Sequence, residues 1–273
     1  MSVMGIDAGG TLTKIVYKEK GRLHFKVFSS KNHKEIQKWL ILLNSNNKLY
    51  LTGGKAWKWK ETFPQAYIVD EFDSVFKGTE MLLKEEKLEL KPFILINIGT
   101  GTSFFKIDKN RSARLLGSGL GGGTFMGLGS ILTGVSDYIE LVSLSGMGKR
   151  EQVDLLVGDI YEEGHSLIPD NLTAANFGKV SADSQKADKL RALTNMIGET
   201  IILLATQAAS EHQIKHFVFV GSALEGNRAL KEVLMQFQDI LSYTAVFPER
   251  GSFAGCLGAY HLGIDGVHSQ NRQ

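Results

Sequence analysis

The chain has 273 residues, 43% hydrophobic and 22% charged, and a net charge of +2. That length holds two modest domains or one large one, and the balanced charge argues against a nucleic-acid binder, which needs a concentrated basic face. One cysteine, Cys256, rules out an internal disulfide framework and argues against a cysteine-based zinc site, so a reducing, cytoplasmic setting is expected. No signal peptide or membrane span is expected: the most apolar helical stretch, Ile201 to Ala209, has Asn195, Glu199 and Gln207 in or near it.

In chain order, Val3 to Ala8 and Leu12 to Tyr17 read as strands joined at Gly9-Gly10, and Leu23 to Phe28 as a third. Ile36, Leu40 and Leu43 recur at helical spacing between Lys34 and Asn44. Lys48 to Gly54 reads as a strand ending in glycines. Tyr67 to Val69 is a short strand, and Phe72, Val75, Phe76 and Met81 continue it as an amphipathic helix. Trp57 and Trp59, in "KAWKWK", read as a surface loop or partner contact. After Pro92 the pattern restarts: Phe93 to Ile107 is again strand, glycine turn, strand. Placing Asp7 over Ile98 sets Ala8-Gly9-Gly10-Thr11 over Gly99-Thr100-Gly101-Thr102. The chain is therefore predicted as α/β, with two related halves, residues 1–92 and 93–273, each opening on a hairpin.

The second half carries "GSGLGGGTFMGLG", Gly117 to Gly129. Helices are predicted over Ser130 to Ser145, Arg150 to Ile160 and Ala187 to Glu211. A buried strand begins at His216 and runs into the glycine loop at Gly221. Then come the helix "RALKEVLMQF", a strand over Tyr243 to Val246, and a small-residue helix over Phe253 to Leu262 with Cys256 inside. The histidines, including His212 and His216, form no metal-ligand set.

Gly117, Gly119 and Gly122 satisfy G-x-G-x-x-G, but a dinucleotide fingerprint follows the first strand of a βαβ unit, and this one lies deep in the chain. No Walker-type G-x-x-x-x-G-K-[ST] occurs. What remains is a set of separate glycine loops at strand ends: Gly9-Gly10, Gly99 to Gly101, Gly121 to Gly123 and Gly221. Glycine lets a phosphate approach the backbone, and successive N–H groups in such turns form anion nests. A helix starting after "GGGTF" would add its dipole.

Asp7 is a hard oxygen donor at a strand end, suited to Mg²⁺ held mainly by phosphates and water. Gly9, Gly10 and Thr11 would offer amides to phosphates, and Lys14 a point charge. Asp70, Glu71 and Asp73 crowd three acids where a strand gives way to a helix; crowding raises one pKa, which suits a general base, and the chemistry alone leaves all three open. Arg114 and Arg111 are both placed to bind a carboxylate.

The set "GIDAGGTLTK", "VDEFDS", "NIGTGTS", R-x-x-G-x-G-x-GGG from Arg114, and "FVGS" resembles the type II pantothenate kinases, within the actin, hexokinase and Hsp70 superfamily. The resemblance spans nearly the whole chain. It implies two ribonuclease-H-like domains with a nucleotide cleft between them, ATP and Mg²⁺ as cofactors, and phosphorylation of pantothenate to 4'-phosphopantothenate, the first step toward coenzyme A. It implies a homodimer formed through the second half, to which Ala187 to Glu211 could contribute. It selects Glu71 as the base and Arg114 for the substrate carboxylate. Thr100 and Ser103 fall near pantothenate, Thr100 also near the transferred phosphate. The nucleotide falls to residues 7–14, including Ala8, Leu12 and Thr13, then to Gly121, Gly122, Gly123, Thr124, Phe125 and Met126, with Tyr138 and Ser222 near adenosine. A sugar kinase of the same superfamily is the alternative. A non-catalytic nucleotide sensor is another, although no helix-turn-helix extension is seen beside it.

Overall fold

The computed structural model describes residues 2–43, 47–108, 112–161, 165 and 168–266. In chain order come β1 (Ser2–Ala8), β2 (Leu12–Glu19), β3 (Arg22–Ser29), α1 (His33–Leu43), β4 (Asn47–Thr52), α2 (Ala56–Thr62), β5 (Tyr67–Ile68) and α3 (Glu71–Glu85). The second series is β6 (Phe93–Ile98), β7 (Thr102–Ile107), β8 (Ser112–Ser118), α4 (Gly122–Thr133), α5 (Tyr138–Met147), β9 (Leu155–Leu156), β10 (Thr173–Ala175) and α6 (Lys186–Ser210). It ends with β11 (His216–Val220), α7 (Arg228–Gln236), α8 (Gln238–Leu241), β12 (Thr244–Val246) and α9 (Ala254–Ile264).

The two five-stranded sheets share one topology. The first runs β3-β2-β1-β4-β5 and the second β8-β7-β6-β11-β12. In each, a meander of three antiparallel strands is followed by two strands parallel to the first. The duplication predicted from the glycine turns is thus a duplication of sheet topology.

Three apolar layers hold the sheets. Ile6, Ile15, Leu40, Leu51 and Trp59 pack α1 and α2 on the outer face of the first sheet. Ile96, Phe104, Leu193, Ile201, Phe217 and Leu230 pack α4 to α7 on the outer face of the second. Between the sheets lie α3 and α9, whose Val75, Leu82, Leu257 and Tyr260 touch Val16 of one sheet and Phe93, Leu95 and Val218 of the other. The last helix therefore returns to the first sheet. Glycines permit the approach: a Cβ on Gly258 would lie 1.7 Å from the Ser74 carbonyl oxygen, and one on Gly78 1.9 Å from that of Ala254.

Several local expectations change. "KAWKWK" is helix α2, with Trp59 buried and stacked on His33 at 4.2 Å, while Trp57 stays exposed. The helix predicted over Ser130 to Ser145 is two, broken where Gly134 takes φ 75°, and the first begins inside the glycine run. Arg150 to Ile160 forms short 3₁₀ turns around β9 instead of a helix; Arg150 sits at 3.7 Å from the buried Asp154 carboxylate. The long helix α6 is largely consumed by the second core. Among the described residues no single helix is long and apolar enough to cross a membrane; α4 and α5 qualify only together, bent by 73°.

Candidate active site

The two sheets leave a cleft of about 860 Å³ between them, and both hairpin turns line it. At the first turn, Asp7 pairs with Lys14 and Ala8 with Thr13 across β1 and β2. The turn's carbonyls are all held from outside. Ser30 Oγ donates to Gly9 O at 2.9 Å and shares a 3.0 Å bond with Thr13 Oγ1; Ser30 N donates to Thr11 O; Lys55 Nζ donates to Gly10 O at 2.7 Å. Among the described residues, the amides of Gly9, Gly10 and Thr11 donate to nothing.

The second turn repeats this logic with different parts. Gly99 O accepts from Gly122 N at 2.8 Å, Thr100 O from Gly123 N at 2.9 Å, and Gly101 O from Gly99 N at 2.8 Å. The amides of Thr100 and Gly101 are left free among the described residues. Carbonyls held from behind and open amides in front make an anion nest. The turns face each other closely: a Cβ on Gly10 would lie 3.3 Å from Thr100 Oγ1, and Thr11 Oγ1 sits 3.8 Å from Met126 Sδ.

The triple glycine has a different first duty from the one expected. The leading amides of α4 are taken by the second hairpin, and a Cβ on Gly121 or Gly123 would strike Thr100. These glycines let helix and hairpin lock together. Gly122 and Gly123 still line the cleft, as do Met126, Tyr138 and Ser222. Gly121 and Thr124 do not; Thr124 Oγ1 closes back on Gly119 O at 2.7 Å. Phe125 lies in the second core, edge-on to Tyr138, and Ala8 and Thr13 are buried behind the first turn. Tyr138 donates its hydroxyl to Ala223 O at 2.8 Å, and burial raises its pKa to about 12.

Asp7 sits at the cleft floor between two glycines. A Cβ on Gly53 would lie 2.5 Å from its Oδ1, and one on Gly255 2.9 Å from its Oδ2. Its neighbour in register on β4 is Thr52, whose buried hydroxyl has no partner in the structure. Lys14 is 1% exposed and donates Nζ to Ser252 O at 2.6 Å, so it is no solvated hairpin lysine. Burial raises the Asp7 pKa and lowers that of Lys14; the charge of each opposes the other's shift. Among the described residues no three acidic, histidine or cysteine side chains gather to hold a metal. A cation at Asp7 would take most of its ligands from phosphates and water, which fits Mg²⁺.

The opposite wall carries the remaining predicted residues. Asp70 caps α3, its Oδ1 accepting from Phe72 N at 2.8 Å and Asp73 N at 3.0 Å. Of the three crowded acids, Glu71 alone lines the cleft. Its pKa is raised, first by desolvation, then by the charges of Asp7 and Asp70. A carboxyl so tuned in a cleft is suited to proton transfer.

Ser103 and Arg114 face this wall from the second sheet. Arg114 reaches it through a β-bulge. Leu116 pairs with Phe104, yet Arg114 pairs with Phe105, leaving Leu115 as an extra residue. Strict alternation would point Arg114 with Leu116 into the second core; the bulge turns it outward. Its guanidinium passes over Gly117, where a Cβ would lie 2.5 Å from Nη2. Arg111 falls outside the described residues. Lys55, Thr52 and Ser252 are cleft residues that sequence reasoning missed; "TGGK" after a strand was the available signal for Lys55.

A profile of the Fumble family matches residues 3–262. The chain belongs to that family. Its relatives include the type II pantothenate kinase of Oceanobacillus iheyensis, 41% identical over 95% of this chain and 98% of that one. The type II pantothenate kinase of Staphylococcus epidermidis is 38% identical over 95% and 99%. Membership of the Fumble family makes the chain a phosphotransferase. Solved structures share the fold at lower identity. The activator of the 2-hydroxyisocaproyl-CoA dehydratase from Clostridium difficile, with bound ADPNP, has a TM-score of 0.65 at 16% identity, covering 99% of this chain and 100% of that one. A ROK family glucokinase from Streptomyces griseus, in complex with glucose and AMPPNP, has 0.54 at 14%, covering 96% and 99%.

Proposed function

We propose that this Fumble-family chain transfers the γ-phosphoryl group of ATP to the primary hydroxyl of pantothenate, giving 4'-phosphopantothenate at the start of coenzyme A synthesis. The carrying observation is the pair of facing turns with free amides, flanked by Glu71 on one wall of the cleft and Arg114 on the wall facing it. The turns grip phosphates; Tyr138, Ser222 and the start of α4 border the adenosine end. Asp7 would be the residue that holds Mg²⁺ brought in with ATP, and the ion would supply charge neutralisation at the phosphates. Arg114 binds the pantothenate carboxylate, beside Thr100 and Ser103. Glu71 takes the hydroxyl proton as the oxygen bonds to the γ-phosphorus, and the bond to the β–γ bridging oxygen breaks to release ADP.

Phosphoryl transfer asks the protein mainly for position and charge, and this cleft is built for both. The balanced charge and single cysteine support a cytoplasmic enzyme, and the exposed Ile131, Ile139 and Met147 on α4 and α5 support a homodimer through the second half.

The test is purified protein with Mg-ATP and radiolabelled pantothenate, run beside Glu71→Gln. Labelled product from the wild type alone supports substrate and base together. Equal product from both removes Glu71 from the role. No product from either, with ATP bound, sinks pantothenate and brings a sugar panel forward.

A further inference from the structure

Arg114 stands on the cleft wall with no carboxylate of the described residues in ion-pair distance. An arginine has several rotatable bonds, and an untethered one on an exposed strand samples many positions. One contact fixes this guanidinium. Its central carbon lies 5.5 Å from the centroid of the Phe72 ring. Phe72 is itself held: its ring tilts against Phe105, on the same face of the second sheet, at 5.1 Å. Phe72 is nevertheless 40% exposed. It stands on the first turn of α3, immediately after Glu71.

We infer that Phe72 is a positioning residue for substrate recognition, holding Arg114 over its ring so that the guanidinium fork is set toward an anionic group of the acceptor. The ring occupies one face of the guanidinium and leaves its N–H edge free for a carboxylate. Phe72 sits one residue from Glu71 at the same helix start, so it fixes the carboxylate subsite relative to the proposed base. Gly117 completes the seat, since any side chain there would push the guanidinium off the ring. This inference rests on the reading of Arg114 as the carboxylate-binding group of a pantothenate kinase.

The experiment compares pantothenate with pantothenol, its neutral alcohol analogue, as acceptors. The ratio of kcat/KM for the two is measured in wild type, Arg114→Met, Phe72→Leu, Phe72→Ala and Phe72→Tyr. Phe72→Leu keeps apolar bulk against Phe105 but removes the π face. Wild type is expected to prefer the acid, and Arg114→Met to lose that preference. Phe72→Leu and Phe72→Ala should lose about fivefold to tenfold of it, mostly through KM for pantothenate, as for a cation–π contact. Phe72→Tyr should keep it. If Phe72→Leu keeps the wild-type ratio, or lowers both substrates equally, the inference is overturned while Arg114 stands. If Arg114→Met leaves the ratio unchanged, or wild type phosphorylates neither acceptor, the underlying reading fails and the inference with it.

Discussion

Replacing Gly258 with alanine should damage this enzyme from the middle of a buried helix. In an exposed helix the same change is favourable by about 1 kcal/mol, because alanine is the better helix former. Here the added Cβ would lie 1.7 Å from the Ser74 carbonyl oxygen and 2.5 Å from its carbon, and ordinary contact begins near 3.4 Å. The obstacle is backbone, so no rotamer relieves it. To reach ordinary contact, α3 and α9 must part by roughly 1.7 Å. Overpacking of this kind costs about 1–3 kcal/mol, and a clash with backbone belongs at the upper end. The displaced helix carries Glu71 at its start, and a misplacement of about 1 Å can slow chemistry on the order of a hundredfold. Two measurements separate the effects: the thermal unfolding midpoint, and kcat at saturating Mg-ATP and pantothenate well below that midpoint. Both should fall. Gly78→Ala, which meets Ala254 from the other side of the crossing at 1.9 Å, should behave alike. An unchanged or raised midpoint in Gly258→Ala, with wild-type kcat, would refute the reasoning, since it is the outcome of helix propensity acting alone.

The raised pKa of Glu71 places the acid limb of kcat/KM above the ordinary 4.5, because the base works only when deprotonated. Asp70→Asn keeps an oxygen to cap α3 but removes a nearby charge, so a pH–rate profile should show that limb moving down. Lys14→Met removes the bond to Ser252 O and takes the nearby positive charge from Asp7; a buried acceptor left unsatisfied costs about 1–3 kcal/mol, readable by urea unfolding. Because burial holds the Lys14 pKa low, the unfolded chain binds more protons than the folded one below the ordinary lysine value. That contribution to stability therefore grows as pH rises through this window, and the slope should vanish in Lys14→Met. Deleting Leu115 removes the bulge yet leaves Arg114 opposite Phe105 and on the face away from Leu116, so the unfolding midpoint should fall with the lost Leu115 packing while the preference for an acid acceptor survives.

Much of this was written in local sequence. The Gly-Gly and Gly-Thr-Gly turns announced themselves, since each lies between two alternating apolar runs, and from them came the duplication. Asp7, Lys14, Glu71 and Arg114 were legible as residue types beside those turns. What was hidden depended on contacts across the chain. The strand β8 escaped because its bulge breaks alternation at Leu115-Leu116. The helix α2 escaped because Trp59 is buried by residues far off in the chain, among them Ile6, Leu40 and His33, 26 positions earlier. The amides of Gly122 and Gly123 pointed to a nucleotide in sequence, yet their partners are the carbonyls of Gly99 and Thr100. Lys55 read as one of several lysines in a basic run until folding brought its amine to Gly10 O.

The layer shared by the two sheets sets an order of assembly. The first sheet is complete once β5 has been made, but its inner face is covered by α9, which ends at Ile264. At synthesis rates of roughly 5–20 residues per second, that face waits on the order of ten to forty seconds for its partner. The first half therefore cannot finish folding ahead of the second. A chain stalled before Ala254 would expose Val16, Val75 and Leu82 together as one sticky surface.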